Sequence, residues 1–429
     1  MRNFITIWLG QLISTFGSRM TNFATTIWAW EITGQATALA LVNFFSLLPS
    51  IAITLFAGTI IDRWNRKLLM VAGDTVAVFS TIAILLLYLT HSLQIWHLYA
   101  LGAFNGAFGE IQELAYTATL SQLVPPQQYT RASSMNSTLH YGAIIIAPAI
   151  AGTLYYIIGL DGIALIDIVT FAVGIATVLL VPIPQPPAHT IENYKSEHHR
   201  DTGIWQQLTF GVHYIIKRPG LLALVLSASL FWFAHDLGGS VATPMILART
   251  ENDSRILGSI SSVAGIGGVT GAVLLSVWGG PRRRIHGYLL GMVGAGVSKA
   301  IFGLGQSPQI WLPAQFCSSL NFPLLESSQT AILLAKVAPE VQGRVFAARS
   351  LMFQLVSAVA FLIAGPLADE VFEPAMRPGG SLAKILGGIF GTHPGAGMAV
   401  MYVTTSTCLL LVGLAGYARR PLQDLEDIV

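Results

Sequence analysis

Long apolar runs separated by short polar breaks set the pattern of this chain. Twelve such stretches lie near 4–30, 38–61, 68–90, 95–121, 132–158, 162–181, 221–243, 257–278, 287–305, 310–335, 345–366 and 397–418. Each approaches or exceeds the roughly 20 residues that a helix needs to cross the hydrocarbon core of a bilayer. Only one internal connection on the basic side is long, residues 182–220. It opens with PIPQPP, which cannot be helical, and continues through a polar run. It ends in 204–218, where Ile204, Leu208, Val212 and Ile215 fall at helical spacing. That spacing predicts an amphipathic helix on the inner membrane surface. The pattern therefore predicts an all-α membrane protein with twelve transmembrane helices in two six-helix halves. The halves are 1–181 and 221–429, joined by the linker 182–220.

Composition agrees. Of 429 residues, 53% are hydrophobic and 10% charged, against roughly 25% charged in a soluble protein. This excludes a soluble enzyme and a disordered chain, and the net charge of +2 offers no basic surface for nucleic acid. Cys317 and Cys408 sit inside apolar runs and suggest neither a metal site nor a disulfide framework. The His198-His199 pair reads as part of a solvated linker. No cofactor is expected.

Charge also predicts orientation. Seventeen of the 23 Lys and Arg residues fall on the side that carries both termini and the 182–220 linker, and four fall on the other. Arg349 is counted on the basic side, and Arg19 and Lys299 lie within spans. The positive-inside rule then places both termini in the cytoplasm. The first apolar run is too long for a cleaved signal and is expected to remain.

An internal repeat supports the division. LVPPQQYTRA (123–132) aligns with KVAPEVQGRV (336–345), setting Arg131 on Arg344 and Glu113 on Glu326 at one offset of 213. Parallel repeats of this kind are one architecture that transporters use.

Between the second and third spans lies Gly58-Thr-Ile-Ile-Asp62-Arg63-Trp-Asn-Arg66-Lys67. This resembles the signature G-x-x-x-D-R-x-x-R-K/R of the major facilitator superfamily. The resemblance implies a parallel pseudo-twofold repeat and a conformational latch formed by Gly58, Asp62, Arg63, Arg66 and Lys67. The matching loop of the second half, Trp278 to Arg284, keeps the basic cluster and lacks the acid. In span five, Ala147, Pro148 and Gly152 resemble the superfamily's antiporter motif, with alanines in place of three glycines. Small residues every four positions also suit close helix packing. Gly10-Gln11 to Gly17 and Trp28 to Gly34 resemble the subgroup that includes the enterobactin exporter and macrolide efflux proteins. That subgroup commonly has an acid after the second glycine, where this chain has Ser18.

Ionisable residues inside a membrane are costly and mark functional sites by default. Glu110 and Glu113 share a face of span four, Glu326 repeats Glu113 in span ten, and Asp236 lies in span seven. Gln11, Thr15, Ser18, Asn22 and Thr25 form a polar stripe on span one. Ser318, Asn321, Glu326 and Gln329 form an approximate one on span ten. The resemblance implies that spans one, four, seven and ten line a central cavity. The expected proton-coupling or substrate-cavity residues are Glu113, Glu326, Glu110, Asp236, Arg19, Gln11, Asn22 and Gln329. Asp74 and Asp167 are expected in ion pairs or at helix ends. Residues 381–390 are expected to form a short interfacial helix or a surface loop.

These readings lead to a secondary transporter, most simply a monomeric proton-driven exporter of small amphipathic molecules in a bacterial inner membrane. Its partners would be the small-molecule substrate, protons and the lipid bilayer. A proton-coupled importer or a lipid flippase would share every feature above. A non-transporting sensor is the reading of another class. The chain carries no phosphate loop, HExxH or GxSxG motif.

Overall fold

The computed structural model describes residues 2–125, 128–182 and 204–425. Long helices occupy all the predicted stretches. They are α1 (Arg2–Thr33), α2 (Ala36–Arg63), α3 (Arg66–Leu89), α4 (Ile95–Leu123) and α5 (Tyr129–Leu180). After the linker come α6 (Ile204–Ile216), α7 (Pro219–Arg249), α8 (Ser254–Trp278), α9 (Arg284–Leu304) and α10 (Pro308–Lys336). Then follow α11 (Gln342–Pro366), the short α12 (Ala383–Phe390) and α13 (Ala396–Ala418). The fifth and sixth spans form one element, α5, divided by Gly159. That residue adopts φ 65° and ψ −168°, a conformation that a residue with a Cβ adopts only under strain.

Eight segments among the described residues meet the length and apolarity of a membrane span. The two arms of α5 fall within one of them. Helices α1, α4 and α10 fall short, because they carry the polar stripes and glutamates read from the sequence.

The chain divides into two compact units. Unit 1 holds the residues up to Thr33 and from Val42 through α5. Unit 2 holds Gly34–Leu41 and everything from Gly203 onward. The first turns of α2 thus belong to unit 2. Asp369, in a π-helical turn that continues α11, accepts from the backbone N–H groups of Ala36 at 3.0 Å and Thr37 at 2.8 Å. It also accepts from the Thr37 hydroxyl at 2.6 Å. A helix start leaves its N–H groups without partners, and here a carboxylate from another helix caps them. Gly365 permits the approach, since a Cβ there would fall on the Thr37 backbone.

Helix α6 docks on unit 2. Ile215 is buried, and a Cβ at Gly211 would meet the backbone of Arg344 and the side chain of Ala348 on α11. The Arg344 guanidinium lies 5.3 Å from the Phe210 ring, a cation–π distance. The helix predicted on the membrane surface therefore has one side against protein.

The repeat is legible in the contacts. Arg66 opens α3 and donates from Nη1 to the carbonyl of Ala118 on α4 at 2.9 Å. Arg284 opens α9 and donates to Ala331 on α10 at 3.0 Å. Ala118 and Ala331 stand at the offset of 213 found in the sequence, and Arg66 and Arg284 at 218. The same offsets match Gly73 with Gly291 and Gln112 with Leu325, and in each unit a Cβ on the glycine would collide with that partner.

Candidate functional site

In unit 1, the acids of α4 lie on one face as the spacing predicted. Oε1 of Glu110 accepts from the Thr54 hydroxyl on α2 at 3.0 Å. Glu113 is exposed, and the charge nearest it is that of Glu110. Arg19 and Asn22 on α1 are exposed, and Arg19 makes no hydrogen bond or ion pair with another described residue.

Gln11 departs from the predicted stripe. It turns inward, and its Nε2 donates to Oδ2 of Asp74 at 3.3 Å. Gln112 donates to Oδ1 of the same carboxyl at 2.5 Å. Asp74 therefore forms no ion pair with another described residue and sits away from either helix end, contrary to the sequence expectation, and is 1% exposed. Its position two turns into α3 carries it past the basic loop into the bundle. Asp167 corrects the same expectation. It is also 1% exposed, and Oδ2 accepts from the Thr81 hydroxyl on α3 at 3.0 Å.

The latch residues are described in part. Gly58 and the side chains of Asp62 and Arg63 lie outside what is described, as does the His198-His199 pair. Arg66 holds the α4 backbone as above. Lys67 donates from Nζ to the carbonyls of Leu179 at 2.8 Å and Val181 at 2.9 Å. It thereby caps the C-terminal end of α5, where carbonyls lack helical partners and a cation is favoured. In the antiporter-like stretch, Ala143, Ala147, Ala151 and Gly152 are buried and Pro148 is partly buried. That is a packing face.

In unit 2 the acids have different neighbours. Glu326 is exposed, and Arg349 on α11 is the charge in its field. Gln329, one turn on, is fully buried, and its Oε1 accepts from Nη2 of Arg349 at 2.7 Å. Arg349 also lies 4.7 Å from the Phe353 ring. The predicted polar face of α10 is thus split: Ser318 and Gln329 point inward, and Glu326 points out. Arg349, counted with the loop charges in the sequence, is instead a half-buried residue two turns into α11. An arginine four residues past the start of the apolar run 345–366 was the signal that could have found it.

Asp236 on α7 accepts from the Ser357 hydroxyl at 2.5 Å. Its neighbour His235 is walled by aromatic rings, with Trp232 and Phe322 each 5.0 Å away. Lys299 on α9, 7% exposed, donates to the Tyr402 hydroxyl at 3.2 Å. Its charge acts on both His235 and Asp236. Arg249 ends α7 and donates to the carbonyls of Gly305 at 2.7 Å and Phe390 at 3.1 Å, closing the ends of α9 and α12. Residues 383–390 are helical as one of the two expectations held, with Ile385 and Ile389 exposed. No group of three or more His, Cys, Asp or Glu side chains fit to hold a metal exists among the described residues.

The chain is similar to known proteins at three levels. The sequence profile of the Major Facilitator Superfamily matches residues 7–361. Macrolide efflux protein A of Streptococcus pyogenes is 25% identical over 373 residues, 86% of this chain and 90% of that protein. Macrolide efflux protein A of Enterococcus faecalis is 26% identical over 317 residues, 72% of this chain and 94% of that one. In fold, the chain resembles a bacterial homologue of the iron transporter ferroportin in an inward-facing state, with a TM-score of 0.70 at 14% identity. That match covers 97% of this chain and 99% of the other. A bacterial homologue of the human lysosomal transporter Spinster gives 0.68 at 16% identity, covering 99% and 98%.

Proposed function

Because the chain belongs to the Major Facilitator Superfamily and is an integral multi-pass membrane protein, we propose that it is a proton-driven exporter of small amphipathic molecules. The observation that carries this reading is likeness to two macrolide efflux proteins over most of the chain. It works as a monomer in a bacterial plasma membrane with both termini cytoplasmic, an orientation supported by the distribution of Lys and Arg.

The exposed glutamates supply the coupling chemistry. Glu113 and Glu326 occupy matched positions in the repeat and make no hydrogen bond with another described residue. Each is free to exchange its partner between a proton and a cationic substrate. Glu110, on the same face of α4 as Glu113, and Asp236 on α7 each accept from one hydroxyl. Arg19 and Asn22 contribute exposed polar surface on α1, while Gln11 and Gln329 act from behind it by holding Asp74 and Arg349. Superfamily transporters work by alternating access, with substrate sites near the membrane midplane. Arg66 and Lys67 serve the latch by fixing backbone carbonyls rather than by touching substrate.

The test is efflux from reconstituted vesicles under an imposed pH gradient. The panel holds macrolides, lipophilic cations and siderophores, with and without a protonophore. Gradient-dependent outward movement that the protonophore abolishes is expected. Movement indifferent to the protonophore would remove proton coupling, and movement only inward would make the protein an importer. If Glu113→Gln and Glu326→Gln each leave gradient-driven efflux intact, that pair does not carry the proton.

A further inference from the structure

One carboxyl group inside unit 1 has no part in the exposed pathway. Asp74 is 1% exposed and is held by two amides from two other helices, Gln11 on α1 and Gln112 on α4. Nε2 of Gln112 also lies 3.4 Å from Oε1 of Gln11, so the three side chains close into one knot. No cation joins it. On α3, Arg66 and Lys67 reach the backbone carbonyls of Ala118, Leu179 and Val181. On α4, Glu110 accepts from Thr54 and Glu113 faces outward. On α1, Arg19 is two turns away and exposed. On α5, Asp167 is bonded to Thr81. The groups that act on Asp74 are Gln11 and Gln112.

The fold does not require this knot. At the matching crossing of α9 and α10, unit 2 places Met292 and Leu325, both fully buried in its apolar core. The same crossing is thus made there by an apolar pair in the places of Asp74 and Gln112. A buried polar group that packing does not need is a candidate for function.

We propose that Asp74 is a proton-carrying site of the transport cycle, with Gln11 and Gln112 as its positioning residues. This rests on the proton-driven reading above. A carboxamide offers both donors and an acceptor, so the same two partners serve both states of the acid. In the ionised state, the amide N–H groups donate to the two carboxylate oxygens. On loading, a hydronium ion gives its proton to one carboxylate oxygen and is left as water. The facing amide of Gln11 or Gln112 then turns over about its last side-chain bond, so that its oxygen accepts from the new O–H. On release, that O–H bond breaks and the proton returns to water on the other side. Gln11 and Gln112 are themselves half-buried, where Asp74 is buried.

The test combines a spectrum with transport, using the full chain in lipid vesicles. Infrared difference spectra between acidic and alkaline pH should show a carboxylic-acid C=O band that is lost in Asp74→Asn. Gln112→Leu should shift that band, because its hydrogen bond changes. Asp74→Asn should also abolish efflux driven by an imposed pH gradient while leaving substrate counterflow, which moves no net proton, at the wild-type rate. Should Asp74→Asn fail to insert, the double variant Asp74→Met with Gln112→Leu borrows the pair used by unit 2 and must lose the same band. A band unchanged by either variant overturns the proposal. So does gradient-driven efflux that persists in Asp74→Asn while the wild type remains protonophore-sensitive, and that result spares the exporter reading. Protonophore-insensitive efflux by the wild type overturns both.

Discussion

Unit 1 and unit 2 repeat the same helix crossings but fill them with opposite chemistry. In unit 1 the Thr81 hydroxyl donates to Asp167, and at the matching place in unit 2 the Lys299 ammonium donates to the Tyr402 hydroxyl. The registers agree, since Gly17 lies against Asp167 and Thr170 just as Gly238 lies against Tyr402 and Thr405. One unit therefore buries an acid where the other buries a base. The knot of Asp74 and Gln112 likewise has an apolar pair as its counterpart in unit 2. The glutamates at the repeat offset also differ: Glu113 has another acid for a neighbour, and Glu326 has Arg349. What the halves share are glycines at close crossings and arginines that anchor helix starts to backbone carbonyls. Packing contacts of this kind set helix geometry in a membrane, where lipid tails give apolar surfaces no reason of their own to associate. Interior polarity is then free to diverge between the halves.

Transplanting the difference gives the largest expected effect. Met292→Asp puts a carboxyl into the apolar core of unit 2 opposite Leu325, with no amide to receive it. A loss of roughly 3–5 kcal/mol in unfolding free energy is expected, the scale of an uncompensated buried charge. The reverse change, Asp74→Met with Gln112→Leu, should cost far less. Equal losses in thermal or denaturant unfolding would show that the two crossings are not equivalent.

Next come the buried donors. Lys299→Met leaves the Tyr402 hydroxyl without its partner, and Thr81→Val does the same to Oδ2 of Asp167. Each should destabilise by about 1–3 kcal/mol, the cost of an unsatisfied buried group. Smaller losses would mean that neighbouring polar groups take over.

The shared contacts should respond alike. Arg66→Ala and Arg284→Ala each remove a charged donor from a carbonyl. A matched loss of roughly 1.5–3 kcal/mol is expected. A difference larger than that range between the two would break the repeat at this point.

The smallest effect concerns a contact that has no counterpart in the sequence repeat. Asp369→Ala strips the cap from the start of α2 and should cost about 1 kcal/mol. Hydrogen exchange at the amides of Ala36 and Thr37 should accelerate while that of α13 stays unchanged. Unaltered exchange would mean that water replaces the carboxylate without loss.

Much of the architecture was legible before any coordinates. Apolar runs of membrane-spanning length, their polar breaks and the 213-residue offset place the helices, the kink region and the repeat. The glutamates were legible for a related reason, since a charge inside such a run stands out whatever surrounds it. Direction was not legible. Helical spacing put Glu326 and Gln329 on one stripe, yet one faces out and the other is fully buried. Asp74 read as an ion-paired or helix-end residue and proved to be clamped by Gln11 and Gln112. Arg349 read as a loop charge, and Asp369 gave no signal at all. The sequence by itself determined the class of protein, the helices and their duplication, because length and apolarity are properties of a segment alone. Only the tertiary structure decided which face of each helix is inside and which polar groups meet there. Those outcomes depend on neighbours from 20 to 333 residues away along the chain, and a hydrogen bond forms only where both partners arrive.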